Sequence, residues 1–552
     1  MEACFRLGQI TRRLGRASEA AVWLNQALVL RPQWPDAYYE LAQTCLALQK
    51  AQEAVFNLQK SLELHPSHLG ALRMLADLFR VAGRWREAVQ HYAALLPLQP
   101  EDPTLFQYFG LCCQELDELQ LAERAYLKTS RLGLDSAELQ FNLGIVRLKQ
   151  RRPQEAIASF QNALQKDPGL TTTNLAMANA HRLLGDLGSA EACLRRELEI
   201  NPNCADAAVN LGVVLQEKHR VGEAINCYRQ AIHLNPHHPI LRWNYAIASL
   251  LAGDYETGWH EYEWRWQVKH KPKPKYEQPE WDGSDLTGRT ILLYAEQGFG
   301  DTLMFIRYAP LIAQRNGRVV LECQPPLRRV LASMPELFQV VAQGEPLPHF
   351  DVQAPLMSLP RIFGSALDAD HRWEPYLRVP HGIGLQLPPH DESATKVGLA
   401  WASNPRHPIF SEKSLDLKRW DAILKVPHCE FFSLQVDPTP NAIAFMKEQK
   451  RIHDLHDRLG DFADTAAIVR HLDLVISVDT SVAHLAGGLG HPVWVMLPFS
   501  ADWRWLLKRK DSPWYPAMRL FRQPKPGDWE TVVSEVVQQL TEISAQRSRH
   551  GA

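Results

Sequence analysis

A repeat of 34 residues runs through the first half of the chain without an insertion, and it constrains the fold more than any other feature. One column of small residues recurs at this spacing, at Gly8, Ala42, Ala76, Gly110, Gly144, Ala178, Gly212 and Ala246. A second column holds Ala20, Ala54, Ala88, Ala122, Ala156, Ala190, Ala224 and Gly258. A third holds Pro32, Pro66, Pro100, Leu134, Pro168, Pro202 and Pro236. Repeats of about 20 to 50 residues are typical of solenoids, so the period predicts stacked copies of one helical unit.

Each column has a role in a pair of antiparallel helices. Small side chains let two helices approach closely, and proline ends the second helix because it cannot continue the hydrogen-bond ladder. The pattern resembles the tetratricopeptide repeat (TPR) over residues 1 to about 268. The resemblance implies an all-α TPR superhelix of about eight units, whose concave face holds a protein or peptide segment.

In three repeats an asparagine stands two positions before the small residue of the first column, at Asn142, Asn210 and Asn244. This partial ladder resembles the repeats of protein O-GlcNAc transferase, in which such amides grip the backbone of a partner. The resemblance implies that the three asparagines bind an acceptor protein. Alternatively, asparagine is simply a common consensus residue at this position, and both interpretations stay open.

Charge and cysteine content restrict the class of protein. The chain has 60 Lys and Arg against 62 Asp and Glu, a net charge of -2, so it has no overall field for gathering nucleic acid or anionic membrane. Its nine cysteines form no C-x-x-C pair, which favours reduced thiols. No apolar run approaches the ~18 residues that a membrane span needs. We therefore expect a cytoplasmic protein.

The periodicity changes at Thr290, where short apolar runs begin to alternate with helical stretches, a pattern typical of parallel βα units. The predicted strands are 290–295, 318–322, 337–341, 350–354, 396–402, 430–435, 451–455, 473–478, 492–497 and 517–521. The predicted domains are the TPR solenoid 1–268, a polar surface linker 269–289, an N-terminal lobe 290–385, and a C-terminal lobe 396–545 that includes a terminal helix at 527–544. The overall prediction is a superhelix followed by an α/β GT-B domain with two Rossmann-like lobes.

The first chemical motif is AEQGFGDT, residues 295–302, at the end of the first predicted strand. Gly298 and Gly300 permit a tight turn with exposed N–H groups, and a helix is expected to start at about Asp301. Ligands of open α/β sheets bind at the carboxyl ends of the strands, so Asp301 would face the cleft. Alternatively, Asp301 only caps its helix.

The second motif is SVDTSVAHLAGGLGHP, residues 477–492. Asp479 and Thr480 end a predicted strand, and Ser481 opens a helix whose free N–H groups suit a diphosphate. His484 lies three residues after Ser481, on the same helix face, and could reach the same anion. Alternatively, His484 has only a structural role in the core or at the surface.

Together, GFGD and DTSVAHLAGGLG resemble the glycosyltransferases related to lipopolysaccharide heptosyltransferases, often called family 9. The resemblance implies that Asp301 is the catalytic base and that the D-T-x-x-x-H segment binds the donor diphosphate. It also implies a basic residue on the phosphate, for which Lys413 is the best match. Ser403 and Asn404 follow a predicted strand and can add hydrogen bonds to the donor.

Four segments resemble bacterial proteins that join TPR repeats to such a domain, namely 258–265 (GWHEYEWR), 295–301 (AEQGFGD), 502–505 (DWRW) and 512–516 (SPWYP). The DWRW segment is expected either to stack on a nucleotide base or to pack the lobe. The overall layout is similar to that of protein O-GlcNAc transferase, whose repeats recruit the acceptor.

The predicted function is sugar transfer with inversion from a nucleotide-diphosphate sugar to a protein or peptide acceptor. No obligatory metal is expected, because no D-x-D motif lies beside either loop. Two alternatives stay open: an inert scaffold that binds protein partners, and a glycan transferase whose repeats only mediate assembly.

Overall fold

A computed structural model describes residues 1–268, 273–364, 374–403, 413–449 and 451–550. The chain forms two compact units, Met1–Val214 and Leu215–Ala552. The division falls inside a helix of the repeat region. The domain boundaries proposed from the sequence remain a prediction.

The first unit is built from helix pairs, as the 34-residue period predicts. Its helices are α1 (Glu2–Arg13), α2 (Ala17–Leu30), α3 (Pro35–Ala47), α4 (Ala51–Leu64), α5 (Leu69–Val81), α6 (Trp85–Leu95), α7 (Pro103–Glu115), α8 (Leu119–Arg131), α9 (Ala137–Lys149), α10 (Pro153–Lys166), α11 (Thr173–Leu183), α12 (Leu187–Ile200) and α13 (Ala205–Glu217), which crosses into the second unit.

The small-residue columns mark the closest approach of paired helices. A Cβ atom added to Gly8 would lie 2.6 Å from Cγ of Leu24, and one added to Gly144 would lie 2.4 Å from Cε1 of Phe160. The alanines of the second column are fully buried in each repeat, as Ala122 illustrates. The sequence period is therefore a packing requirement, because a larger side chain would separate the helices.

Helix ends also follow the sequence. Helix α2 ends at Leu30, two residues before Pro32, as expected for the proline column. Helix α7 begins with a proline and is capped by Asp102, whose carboxylate accepts from the backbone N–H groups of Thr104 and Leu105.

The second unit begins with the last repeat helices and continues into two parallel sheets. Its first helices are α14 (Val221–Leu234), α15 (Pro239–Ala252), α16 (Tyr255–Tyr262) and the short Arg265–Val268. The strands are β1 (Thr290–Tyr294), β2 (Arg318–Cys323), β3 (Leu337–Ala342), β4 (Val352–Pro355), β5 (Thr395–Ala400), β6 (Cys429–Ser433), β7 (Ile452–His453), β8 (Leu474–Val478), β9 (Val493–Leu497) and β10 (Met518–Arg522). Each of these strands begins within two residues of the first residue of the corresponding predicted strand.

The two sheets have the orders β3-β2-β1-β4 and β10-β9-β8-β5-β6-β7, and all of the paired strands are parallel. Between and after the strands, the described residues form the helices Phe299–Phe305, Ala309–Ala313, Arg328–Leu331, Leu359–Phe363, Asp421–Leu424, Pro440–Glu448, Phe462–Val469, Ser481–Gly488 and Trp529–His550. Short 3-10 turns occur at Ile306–Tyr308, Pro325–Leu327, Leu356–Ser358, Leu417–Trp420, His456–Arg458 and Trp503–Trp505.

Strands β1 and β8 both lie inside their sheets, with a neighbour on each side. Carboxyl ends of parallel strands share one edge of a sheet, so the loops after β1 and β8 each lie at such an edge. The terminal helix Trp529–His550 buries Val532, Val536 and Leu540 in the core of the six-stranded sheet.

The segment before β1 departs from the expectation of a solvated linker. Trp281 is only 2% exposed, its backbone N–H donates to the carbonyl of Gln353 over 2.8 Å, and its indole donates to the carbonyl of Ser284 over 2.9 Å. A single tryptophan buries enough apolar area to hold a polar segment against the sheet. The polar neighbours of Trp281 in the sequence do not indicate that it is buried.

Within the described residues, the model contains no helix that is both long enough and apolar enough to cross a membrane.

Candidate functional site

The two motif loops contact each other. Gly300 belongs to the helix after β1, and His484 belongs to the helix after β8. A Cβ atom on Gly300 would lie 2.8 Å from Cδ2 and 3.4 Å from Nε2 of His484. Glycine at this position is therefore required by the close approach of an imidazole from the other motif.

Asp301 has a partner on each carboxylate oxygen. Its Oδ2 accepts from the backbone N–H of Gly298 over 2.9 Å, which caps the helix Phe299–Phe305. Its Oδ1 is ion-paired with the guanidinium of Arg504. The side chain remains 18% exposed, so it is held in one orientation while still in contact with solvent.

Arg504 lies in the DWRW segment and joins two carboxylates. Its Nη1 is 2.6 Å from Oδ1 of Asp502, while Nη2 contacts Asp301. Its guanidinium lies over the ring of Trp503, 4.4 Å from the centroid. Burial opposes the charge, but the two carboxylates outweigh it and raise the pKa of Arg504. Burial likewise acts to raise the pKa of Asp502, but Arg504 and Lys413 lower it to about 2.

Lys413 is paired with Asp479 of the second motif. Nζ lies 2.6 Å from Oδ2, and both side chains are about nine-tenths buried. Burial acts to lower the pKa of Lys413, but Asp479 and then Asp502 outweigh it, so the pKa is raised and the ammonium is charged. The charges of Asp479, Lys413, Asp502, Arg504 and Asp301 thus alternate in sign from one motif loop to the other.

His484 is buried and uncharged. Its Nδ1 lies 2.8 Å from the hydroxyl of Tyr515, and its ring stacks on Trp505 with centroids 5.3 Å apart. Burial lowers the pKa of His484 to about 4. The expectation that His484 contacts a phosphate remains a prediction, but at neutral pH the contact would come from a neutral ring.

The other residues predicted to bind the donor lie in the second unit, and the structure describes the contacts of three of them. Thr480 Oγ1 is 2.9 Å from the hydroxyl oxygen of Ser477, and half-buried Ser481 begins its helix. The backbone N–H of Ser403 donates to Oγ of Ser414 over 3.1 Å. Asn404 lies outside the described residues.

The three candidate acceptor asparagines are half-buried residues of repeat helices. Asn142 lies on α9 and Asn210 on α13, both in the first unit, and Asn244 lies on α15 in the second. Nδ2 of Asn244 donates to the carbonyl of Ile240 in its own helix over 2.9 Å. Their role in acceptor binding remains a prediction.

The four short segments that resemble bacterial relatives come together around Asp301. Trp259 of GWHEYEWR packs edge-to-face on Trp503 of DWRW, with centroids 5.2 Å apart. The indole of Trp514, in SPWYP, donates to the carbonyl of Arg504 over 2.7 Å. Arg265 forms a bidentate ion pair with Glu296, at the start of the first motif loop, with N–O distances of 3.0 and 2.8 Å.

Sequence reasoning missed the roles of Arg265, Arg504 and Tyr515. All three belong to the four segments noted in the sequence, so their presence in a site could be inferred from those segments. The sequence does not show which residue each of them contacts. Among the described residues, no cluster of three or more His, Cys, Asp or Glu side chains is arranged to hold a metal ion.

Comparison with known proteins supports the repeats. Tetratricopeptide-repeat family models match residues 147–211 in one case and 39–103, 114–171 and 214–258 in another. The chain therefore carries tetratricopeptide repeats, which suggest interaction with other proteins. A solved structure of the C-terminal part of a TPR-containing protein from Cytophaga hutchinsonii is 15% identical, with a TM-score of 0.37, and covers 44% of this chain and 98% of that one.

Two curated relatives extend the comparison. Protein FlbA of Caulobacter vibrioides is 24% identical over 499 residues, covering 84% of this chain and 82% of that protein. Human Protein O-mannosyl-transferase TMTC3 is 28% identical over 158 residues, which cover 27% of this chain and 17% of that protein. The chain thus spans about a sixth of the length of TMTC3, and the activity in that name belongs to TMTC3.

Proposed function

We propose that the chain is an inverting glycosyltransferase of the GT-B type that uses a nucleotide-diphosphate sugar and a protein or peptide acceptor recruited by the repeats. The observation that carries the proposal is the contact between Gly300 and His484, which joins the two motif loops, with Asp301 beside it. This contact would bring the proposed base and the proposed anion-binding helix terminus together, as transfer from a diphosphate donor requires.

Asp301 is the proposed general base. It would take the proton of the acceptor hydroxyl as that oxygen bonds to the anomeric carbon and the bond to the diphosphate breaks with its electron pair. The ion pair with Arg504 and the N–H of Gly298 fix the orientation of the carboxylate, which favours this role.

The leaving diphosphate would be stabilised from the second motif. Thr480 and Ser481 offer the N–H groups and hydroxyls of the helix terminus, and Lys413 supplies a charged ammonium. Because Lys413 already pairs with Asp479, the diphosphate would share the ammonium with that carboxylate. Asp479 would thus hold Lys413 in place.

A donor-binding screen tests this function. The full chain is incubated with UDP-glucose, GDP-mannose, ADP-glucose and the free nucleoside diphosphates, and its melting temperature is measured. A ligand at about 100 times its Kd stabilises by about 2.7 kcal/mol, which is a shift of several degrees. Lys413→Ala should weaken binding by about 1–3 kcal/mol, for a lost charge-assisted contact, whereas exposed Lys418→Ala should leave it unchanged. A screen without any stabilising nucleotide would refute the proposal.

A non-catalytic scaffold is the second candidate. The repeats suggest a protein partner. Asp301 and Lys413 each have an ion-pair partner of opposite charge within the chain, so neither needs a bound donor to balance its charge. This candidate predicts that the chain binds its protein partner with no nucleotide sugar bound or turned over.

A further inference from the structure

A buried hydrogen-bond chain lies behind His484. Arg307 is 1% exposed, and its Nη2 donates to the hydroxyl of Tyr376 over 3.1 Å. Its guanidinium lies over the ring of Tyr515, 4.7 Å from the centroid. The hydroxyl of Tyr376 in turn donates to the carbonyl of Leu303 over 2.8 Å.

Donor and acceptor strengths determine the direction of the contact between Tyr515 and His484. The O–H of a phenol is a stronger donor than the N–H of a neutral imidazole, and an imidazole nitrogen is a stronger acceptor than a phenol oxygen. Tyr515 therefore donates to Nδ1 of His484, and the proton of the neutral ring lies on Nε2.

The surroundings of the ring keep it neutral. Burial is the largest influence and lowers the pKa of His484 to about 4. Four charged groups also act on the ring. Two carboxylates raise its pKa, and two guanidinium groups lower it. They are Asp479, Asp301, Arg504 and Arg307.

The protonated edge of the ring faces the first motif loop. His484 is 4% exposed, and Nε2 lies 3.4 Å from where a Cβ atom of Gly300 would be. Within the described part of the chain, Nδ1 has a hydrogen-bond partner and Nε2 has none. As a donor between the two loops, Nε2 is placed to meet a ligand oxygen.

We propose that Tyr515 is a positioning residue that holds His484 as a neutral imidazole with its proton on Nε2, which donates one hydrogen bond to a phosphate oxygen of the donor. This inference rests on the proposed function and adds the charge state and the tautomer. Among the described residues of the proposed donor site, the positive charge that meets the diphosphate then comes from Lys413 and not from His484. Donor affinity should therefore not change over the pH range in which an ordinary histidine titrates.

Calorimetric titration of the full chain at about pH 5.5, 6.5 and 8 tests this. The probe is whichever of UDP-glucose, GDP-mannose and ADP-glucose binds most tightly, because these diphosphate diesters do not themselves titrate in that range. The affinity of the wild-type chain should vary less than about twofold. An increase of about tenfold toward pH 5.5 would mean that the ring binds as a cation, which overturns the proposal.

Tyr515→Phe removes only the hydroxyl that orients the ring. It should weaken donor binding by about three- to tenfold, as expected for one misdirected hydrogen bond. Tyr294→Phe is the matched control, since Tyr294 is equally buried and its hydroxyl has no partner among the described residues. Equal affinity in the two variants would refute the positioning role.

A ligand-free measurement separates this inference from the proposed function. The ¹⁵N chemical shifts of His484, assigned by their absence in His484→Gln, should show protonated Nε2 and unprotonated Nδ1 at about pH 6.5. A charged ring or a proton on Nδ1 overturns the inference, even where the donor binds. The expected tautomer without any nucleotide-sugar binding supports the role of Tyr515 and refutes the proposed function.

Discussion

Gly300→Ala tests the contact between the two motif loops. The added methyl would lie 2.8 Å from Cδ2 of His484, closer than carbon atoms normally approach. The ring cannot retreat easily, because Trp505 stacks against it and Tyr515 bonds its far side. Overpacking of this kind destabilises by about 1–3 kcal/mol. Alanine otherwise stabilises a helix by about 0.4–1 kcal/mol relative to glycine, so the net loss should be about 0.5–2 kcal/mol.

Gly222→Ala is the matched control for this substitution. Gly222 is the second residue of helix α14, as Gly300 is of its own helix, and an added Cβ has nothing within 4 Å. We expect Gly222→Ala to unfold at a slightly higher urea concentration than the wild type and Gly300→Ala at a lower one. If both substitutions stabilise the chain equally, the two loops do not meet as described.

Three further predictions concern buried groups. Because burial lowers the pKa of His484 to about 4 from an ordinary 6.5, the unfolded chain binds more protons between these values, and stability falls as the pH drops through that window. The loss at pH 5 should be about 2 kcal/mol relative to pH 7. Urea unfolding at both values should show it, and His484→Gln should lack it; an equal loss in the variant contradicts the reasoning. Gly144→Ala should destabilise by about 1–3 kcal/mol, because its Cβ would lie 2.4 Å from Phe160, and an unchanged midpoint would mean that the helices separate freely. Lys413→Met should destabilise by about 3–5 kcal/mol because it leaves Asp479 buried without its cation, and adding Asp479→Leu should restore much of that loss; no recovery in the double variant would show that the pair is not the cause.

The repeats and strands were predictable because their signals are local. A small residue every 34 positions and apolar runs of strand length need only neighbouring residues to be interpreted. Trp281 was not predictable in this way, since its polar neighbours indicate a solvated linker while its partner Gln353 lies in β4.

The two motifs of the candidate site were visible in the sequence, but their electrostatics were not. The resemblance of these motifs to a glycosyltransferase family implied that Asp301 and His484 belong to one site, and their roles stay predictions. The ion pair of Asp301 with Arg504 joins residues 203 positions apart, which no local pattern reveals. The neutrality of His484 follows from burial by Trp505 and Tyr515, whereas its spacing from the helix start suggested only that it could reach an anion.

The catalytic role of Asp301 is the central claim, and Asp301→Asn tests it most directly. Asparagine is as good a helix cap as aspartate, but it cannot take up the acceptor proton, and its single carbonyl oxygen can accept from the N–H of Gly298 or from Arg504 but not from both. Asp511→Asn, in an exposed pair with Arg509, is the control. The measurement is turnover at saturating donor, with the melting temperature of the same protein. We expect Asp301→Asn to stay folded with a slightly lowered melting temperature, because Arg504 loses one carboxylate, and to lose about 10²–10⁴-fold in turnover with donor affinity kept. Full turnover would contradict the account and leave Asp301 as a capping residue.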